Sequence, residues 1–157
     1  VSVIISRQLG GVVILSKEAQ YGVRAIVRLS SCWPTGKMLL RDIAEEEQLP
    51  VRYLGNIMLH LAHNGFVRSK KGSRGGYWLS RSPEQVLIGK LLRCLNGGRA
   101  LAAVRRGTRG NKTATLTRKL DVAITRTIDA SLRNLTLAEL TEMVRDYQDN
   151  LIPMYHI

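Results

Sequence analysis

The chain has 157 residues, 45% of them hydrophobic, and 24 lysines and arginines stand against 12 aspartates and glutamates for a formal net charge of +12. This length and apolar content exclude a disordered chain and suit one domain with its own core and a helical appendage. The charge predicts attraction to a polyanion, either nucleic acid or an acidic membrane surface, and no apolar run reaches the ~18 residues of a spanning helix.

In chain order, residues 1–13 are mildly apolar but are broken by Arg7 and Gly10-Gly11, with no cleavage pattern after them. They do not read as a signal peptide. Ser16 is placed to cap a helix over roughly Lys17 to Ser31, whose Tyr21, Ala25, Ile26 and Leu29 follow the 3.6-residue period. Pro34 and Gly36 end it. A short helix is expected from about Leu39 to Glu47, with Leu40, Ile43 and Ala44 inward. Pro50 disfavours helical backbone at Leu49 and suits the first turn of a third helix reaching about Asn64. Leu54, Ile57, Met58 and Leu61 form its apolar stripe, and Gly65 is a good left-handed terminator.

Two strands follow, about Phe66–Lys71 and Gly76–Ser80, joined by a glycine-rich turn. The stretch from Gly65 to Arg81 holds five basic residues and no acid. A helix is expected from about Gln85 to Asn96, then a basic loop to Ala114; the tract from Arg99 to Lys119 has seven basic residues and no acid. A long helix spans about Thr115 to Asn134, with Leu116, Leu120, Ile124, Ile128 and Leu132 at every fourth position. Thr136 and Glu139 have capping-box spacing, opening a last helix to about Asn150.

Two short helices at a tight turn and a basic hairpin directly after them spell a winged helix–turn–helix, in a mainly α chain whose β content is one small hairpin. A helix fits the major groove and presents its N-terminal residues to base edges. The candidates are Arg52, Tyr53, Asn56 and His60, with Tyr53 divided between surface and core. Arginine suits guanine and asparagine suits adenine. In the wing, glycines let the backbone approach phosphates closely while cations neutralise them. Lys70, Lys71, Ser73, Arg74 and Gly75 are the candidates there, and Lys17 adds a further contact. His60 and His63 could share a metal, but no third ligand accompanies them, so surface or DNA contact is favoured. No nucleophile–base pair or phosphate-binding loop asks for catalysis.

Cys32 and Cys94 are far apart, both in apolar contexts. They suggest neither a disulfide framework nor a zinc site but a reducing cytosol. Cys94 shares a helix face with Leu91 and Leu95 and reads as a packed structural thiol, with redox sensing the alternative.

The segments "LSKEAQYGVRAIVRL" (15–29), "LRDIAEEEQLPVRYLGNIMLHLAHNGFVRSKKGSRGGYWLSR" (40–81), "IGKLLRCLNG" (88–97) and "LTLAEL" (135–140) resemble the bacterial winged-helix regulators of the IscR, NsrR and CymR type, the Rrf-two family. The resemblance covers about residues 14–145. It implies a cytosolic homodimeric repressor of double-stranded DNA, in which the long helix with Leu116, Leu120, Ile124, Ile128 and Leu132 crosses its twin. The implied division is an N-terminal extension at 1–13, a DNA-binding domain at 14–97, a loop in the sensor position at 98–114, and dimerisation and C-terminal helices at 115–157. Many such proteins hold an iron–sulfur cluster through three loop cysteines. The matching loop here has none, so no cofactor is expected. Two alternatives stay open: a cluster-binding redox or iron sensor whose loop cysteines were replaced, at Ala102, Ala103 or Ala114, and an interaction module whose basic loop binds an acidic protein co-regulator.

Overall fold

A computed structural model describes residues 15–72, 74–97, 122–124 and 126–150. The expectations for residues 1–13, the basic loop, Ser73, Leu116 and Leu120 lie outside the described residues. The order is α1 (Lys17–Ser31), α2 (Leu40–Glu46), α3 (Val51–His63), β1 (Val67–Lys70), β2 (Gly76–Leu79), a 3-10 turn (Pro83–Gln85), α4 (Ile88–Leu95), helical residues 122–124 and 126–132, and α5 (Leu137–Asn150). This is a mostly helical fold with one antiparallel hairpin. Among the described residues no helix is long and apolar enough to cross a membrane.

Helix α1 starts where its cap dictates: the Ala19 amide donates to Ser16 Oγ at 3.0 Å. Its Ala25, Ile26 and Leu29 are buried, and α2 adds Ile43 and Ala44. Helix α3 adds Leu54, Ile57, Met58 and Leu61, each at most 1% exposed. Burying side chains of this size stabilises the fold by about 1.5–3 kcal/mol each. Val67 and Leu79, opposite each other at the base of the hairpin, close one side of this core, and Leu91 and Leu95 of α4 close another. Gly22 lets α4 come close to α1, since a Cβ there would stand 2.7 Å from both Leu95 methyls.

The turn between α2 and α3 has more structure than its sequence suggested. Gln48 adopts φ +52°, the Gln48 amide bonds to the Glu45 carbonyl at 3.1 Å and the Leu49 amide reaches back to Ala44 O at 2.7 Å. This is a Schellman termination with glutamine in the left-handed position usually given to glycine. Leu49 tucks beneath it, 6% exposed, and Pro50 stands as the N-cap of α3 rather than inside its first turn. Gly65 ends α3 by the same motif at φ +75°, with the Phe66 amide bonded to Leu61 O at 3.0 Å.

Two differences from the sequence-based expectation have one cause, which is pairing between distant backbone segments. The helix expected over 85–96 is split, because Val86 and Leu87 are extended and Leu87 bridges Thr136. Leu137 N donates to Val86 O at 2.8 Å and Ile88 N to Leu135 O at 2.9 Å. Likewise Met38 pairs with Tyr77 in both directions, at 3.0 and 2.8 Å, and adds a short third edge to the hairpin. Local periodicity carries no information about either pairing.

The start of α5 therefore belongs to the same core as the winged-helix elements. Leu137 is fully buried. The Thr141 hydroxyl donates to Leu137 O at 2.7 Å and lies 2.9 Å from the buried Ser30 hydroxyl, which supplies the proton of that second bond. Thr136 and Glu139 form the expected capping box. The Glu139 amide donates to Thr136 Oγ1 at 3.2 Å, and Glu139 Oε2 accepts from the Thr136 amide at 2.8 Å.

Leu137→Ala is expected to cost about 2–5 kcal/mol in urea denaturation at unchanged m-value, because it opens a cavity in the shared core. An effect within 0.5 kcal/mol, roughly that of a surface change, would detach α5 from that core. Glu139 makes a second, acid-side prediction. Hydrogen bonds from the Thr136 backbone, then its hydroxyl, lower the Glu139 pKa in the folded chain. Its contribution is therefore complete above the unfolded carboxylate pKa and is lost as pH falls through the folded one. In melts across the acid range, Glu139→Gln should flatten the dependence of melting temperature on pH; an unchanged slope contradicts the linkage.

Candidate nucleic-acid interface

Helix α3 buries one stripe, and its opposite side is open to solvent. Arg52, Asn56, Leu59 and His63, spaced four, three and four residues apart, are all exposed and share one face. Tyr53 lies beside them, 39% exposed, with its ring edge-on to Tyr21 of α1 at 5.7 Å between centroids. Its body is thus held by packing while its rim faces water, which resolves its divided assignment. Leu59, 55% exposed, was missed by the sequence reading. A leucine one turn beyond Asn56 could have been flagged by subtracting the buried stripe. An apolar side chain on such a face can meet a thymine methyl.

The entry to this helix is electropositive. No side chain caps Pro50, and the first turn contains no acid. The first-turn amides therefore point outward, as anion-binding helix N-termini do.

His60 differs from the expectation that it shares the outward face. Its ring turns inward, toward α1 and α4. Nδ1 lies 3.0 Å from Glu18 Oε1, and Nε2 lies 3.7 Å from the Cys94 sulfur. Position 60 is one residue round the helix from Leu59, far enough to leave the open face. Among the described residues no group of three or more His, Cys, Asp or Glu side chains is placed to hold a metal ion.

The wing is the β1–β2 hairpin, in register Val67↔Leu79, Arg68↔Trp78, Ser69↔Tyr77 and Lys70↔Gly76. Arg68, Lys70, Lys71 and Arg74 are exposed. Two glycines at its tip are obligatory for different reasons. Gly75 is half-buried, and a Cβ there would sit 2.1 Å from the Lys70 carbonyl oxygen. Gly76 has φ +132°, with Met38 O 2.9 Å from where a Cβ would be. The coincidence of glycine and charge thus has a geometric basis at Gly75 and Gly76, where the backbone leaves no room for a Cβ beside the exposed cations. Lys37 Nζ lies 5.0 Å from the Trp78 ring and brings another cation to the hairpin. Lys17, at the start of α1, is exposed.

The recognition unit is braced from behind. Arg24 of α1 donates from Nε to Glu47 Oε2 at 3.0 Å and also reaches the Glu47 carbonyl. Arg28 pairs with Glu46. These bonds bring positive charge to the C-terminal end of α2, where its dipole favours it, and fix α2 against α1.

The described part of the stripe expected to form a dimer interface turns toward its own chain at two positions. Ile128 and Leu132 pack against the core of their own chain, and Gly89 of α4 lies so near that a Cβ would be 3.0 Å from Leu132 O. Ile124 is half-buried. The exposed side of the same segment carries Val122, Ala123, Thr127, Ala130 and Ser131.

Known proteins share this architecture. The solved structure of CymR, the global cysteine regulator of Bacillus subtilis, superposes with a TM-score of 0.70 at 25% identity, covering 83% of this chain and 97% of that one. The IscR structure from T. potens gives 0.67 at 25% identity, with 90% and 93% covered. In sequence, IscR of Serratia proteamaculans is 28% identical over 145 residues, 87% of either chain. A helix–turn–helix protein of Mycobacterium tuberculosis is 35% identical over 91 residues, 58% of this chain and 55% of that protein, so the match spans about half the length of that relative. A family profile described as "Rrf2: Iron-dependent Transcriptional regulator" matches residues 15–143. With a winged helix–turn–helix in place and most of its length matched, this chain belongs to the Rrf2 family of transcriptional regulators.

Proposed function

We propose that this protein is a non-catalytic transcriptional regulator, a homodimeric repressor that binds double-stranded DNA through α3 in the major groove and the wing on phosphates. The observation that carries this reading is the open face of α3, Arg52, Tyr53 and Asn56, at the uncapped end of the helix and directly before an acid-free hairpin. Arg52 and Asn56 read base edges. Lys70, Lys71, Ser73, Arg74 and Gly75 hold the backbone, and Lys17 adds a phosphate contact. His60 acts behind the interface rather than on it.

The chain works without a three-thiolate cluster. The family description names iron, but the donor set here does not fit that group, because the whole chain has two cysteines. Of these, Cys94 is held as a thiol by burial and then by the Glu18 charge, which raise its pKa above the ordinary value. Ligation requires thiolates.

Dimerisation uses the exposed side of residues 122–132, where Ala123, Thr127, Ala130 and Ser131 allow close helix approach. Val122, Met143 and Tyr147 are large apolar residues left open on the described C-terminal half. Two-fold pairing would set two copies of α3 on half-sites one or more turns apart, each turn ~34 Å.

A duplex titration over a salt series should give a log–log slope of about −0.9 per phosphate contacted. Arg52→Ala should cost ~1–3 kcal/mol and relax specificity at one base pair, whereas Lys71→Ala should weaken all sequences alike and reduce the slope by about one. Equal effects from both would contradict this division, and no preference for any promoter fragment over random DNA would sink sequence-specific binding. Sedimentation equilibrium should give twice the chain mass, shifted to the single-chain mass by Thr127→Arg. A wild-type protein sedimenting as one chain at micromolar concentration would overturn the dimer.

A further inference from the structure

Three helices bring a thiol, an imidazole and a carboxylate together. Glu18 of α1 faces Nδ1 of His60 on α3 at 3.0 Å, and Nε2 of the same ring faces Cys94 Sγ on α4 at 3.7 Å. The two contacts use opposite nitrogens, so together they fix one tautomer. Nδ1–H donates to the carboxylate, leaving the Nε2 lone pair for the thiol proton. All three side chains are partly accessible, and the carboxylate and imidazole are 36% and 37% exposed. The arrangement matches the logic of an activated nucleophile: thiol, base, and a group that orients the base. DNA recognition has no use for it, and structural packing of Cys94 requires neither partner.

We propose that Cys94, His60 and Glu18 form a covalent-modification site for a small uncharged electron-poor alkene of the enone or quinone class. The sulfur attacks the β-carbon, so an S–C bond forms and the C=C π bond breaks. The thiol proton passes to His60 Nε2 and then to the α-carbon of the adduct, so no other reactant is needed. Glu18 positions the ring and stabilises the transient imidazolium. The adduct takes the space beside His60 in the last turn of α3 and thereby perturbs the helix that faces DNA. This second consequence rests on the function proposed above.

Cys32, also half-buried, is an internal reference in the same molecule. Burial and the Glu18 charge disfavour the Cys94 thiolate, so without a base Cys94 should react more slowly than Cys32. The test is N-ethylmaleimide labelling of the full chain at neutral pH, without DNA, with each cysteine followed by peptide mass spectrometry. Cys94 should outpace Cys32 by about tenfold or more, a modest share of what a positioned base supplies. His60→Gln and Glu18→Gln should each remove that advantage while the Cys32 rate stays unchanged. In 8 M urea the wild-type advantage should vanish, a comparison that does not depend on any variant folding. Cys94 reacting no faster than Cys32 in the native protein, or at an undiminished rate in His60→Gln, overturns the site. Labelled wild-type protein should bind duplex more weakly than labelled Cys94→Ser, and equal binding overturns the coupling to α3. Failure of unlabelled protein to bind DNA counts instead against the proposed function, because the labelling rates are measured without DNA.

Discussion

Burial of Leu54, Ile57, Met58 and Leu61 fixes the rotation of α3, and the protein's outer surface follows from that rotation. A helix has one angular freedom when it packs, and four large side chains on one stripe remove it. The open face is then determined by subtraction. Arg52, Asn56, Leu59 and His63 face outward because they are the positions the core does not take. His60 lies at the boundary between the two faces, which explains how it meets Glu18 and Cys94 instead of water alone.

The remaining elements hold that helix at a defined angle. The Schellman turn at Gln48 and Leu49 sets its entry, and Gly65 sets its exit into the wing. Arg24 and Arg28 brace the preceding helix through Glu47 and Glu46. Partly exposed pairs of this kind contribute little stability, commonly under 1 kcal/mol, so their value here is orientation. They also consume acids. Three of the five acids in residues 1–81 are Glu18, Glu46 and Glu47, each paired toward the interior side of the recognition unit. Three potential counterions of the basic face are thereby engaged behind it.

The C-terminal half couples to this unit through backbone rather than through a second core. Residues 86–88 pair with 135–137, and Leu137 enters the cavity lined by α1. A displacement of the C-terminal segment is therefore felt by the helix that backs α3.

The sequence by itself determined the elements and their faces: the Ser16 cap, the stripe of α3, the glycine-bounded wing and the Thr136–Glu139 box. Each depends on neighbours within four residues or across one hairpin, where periodicity and turn chemistry act directly. Only the tertiary structure decided the break at Val86–Leu87, the Met38–Tyr77 edge and the inward turn of His60. It also decided that Ile128 and Leu132 pack against the chain's own core while Ala123, Thr127 and Ser131 beside them stay exposed. In each of these the deciding partner lies far along the chain: 39 positions separate Met38 from Tyr77, and 51 separate Val86 from Leu137. Cys94 and Glu18 are 76 positions apart, and burial against such partners overrides the local pattern because apolar contact and hydrogen bonding depend on space, not on sequence separation.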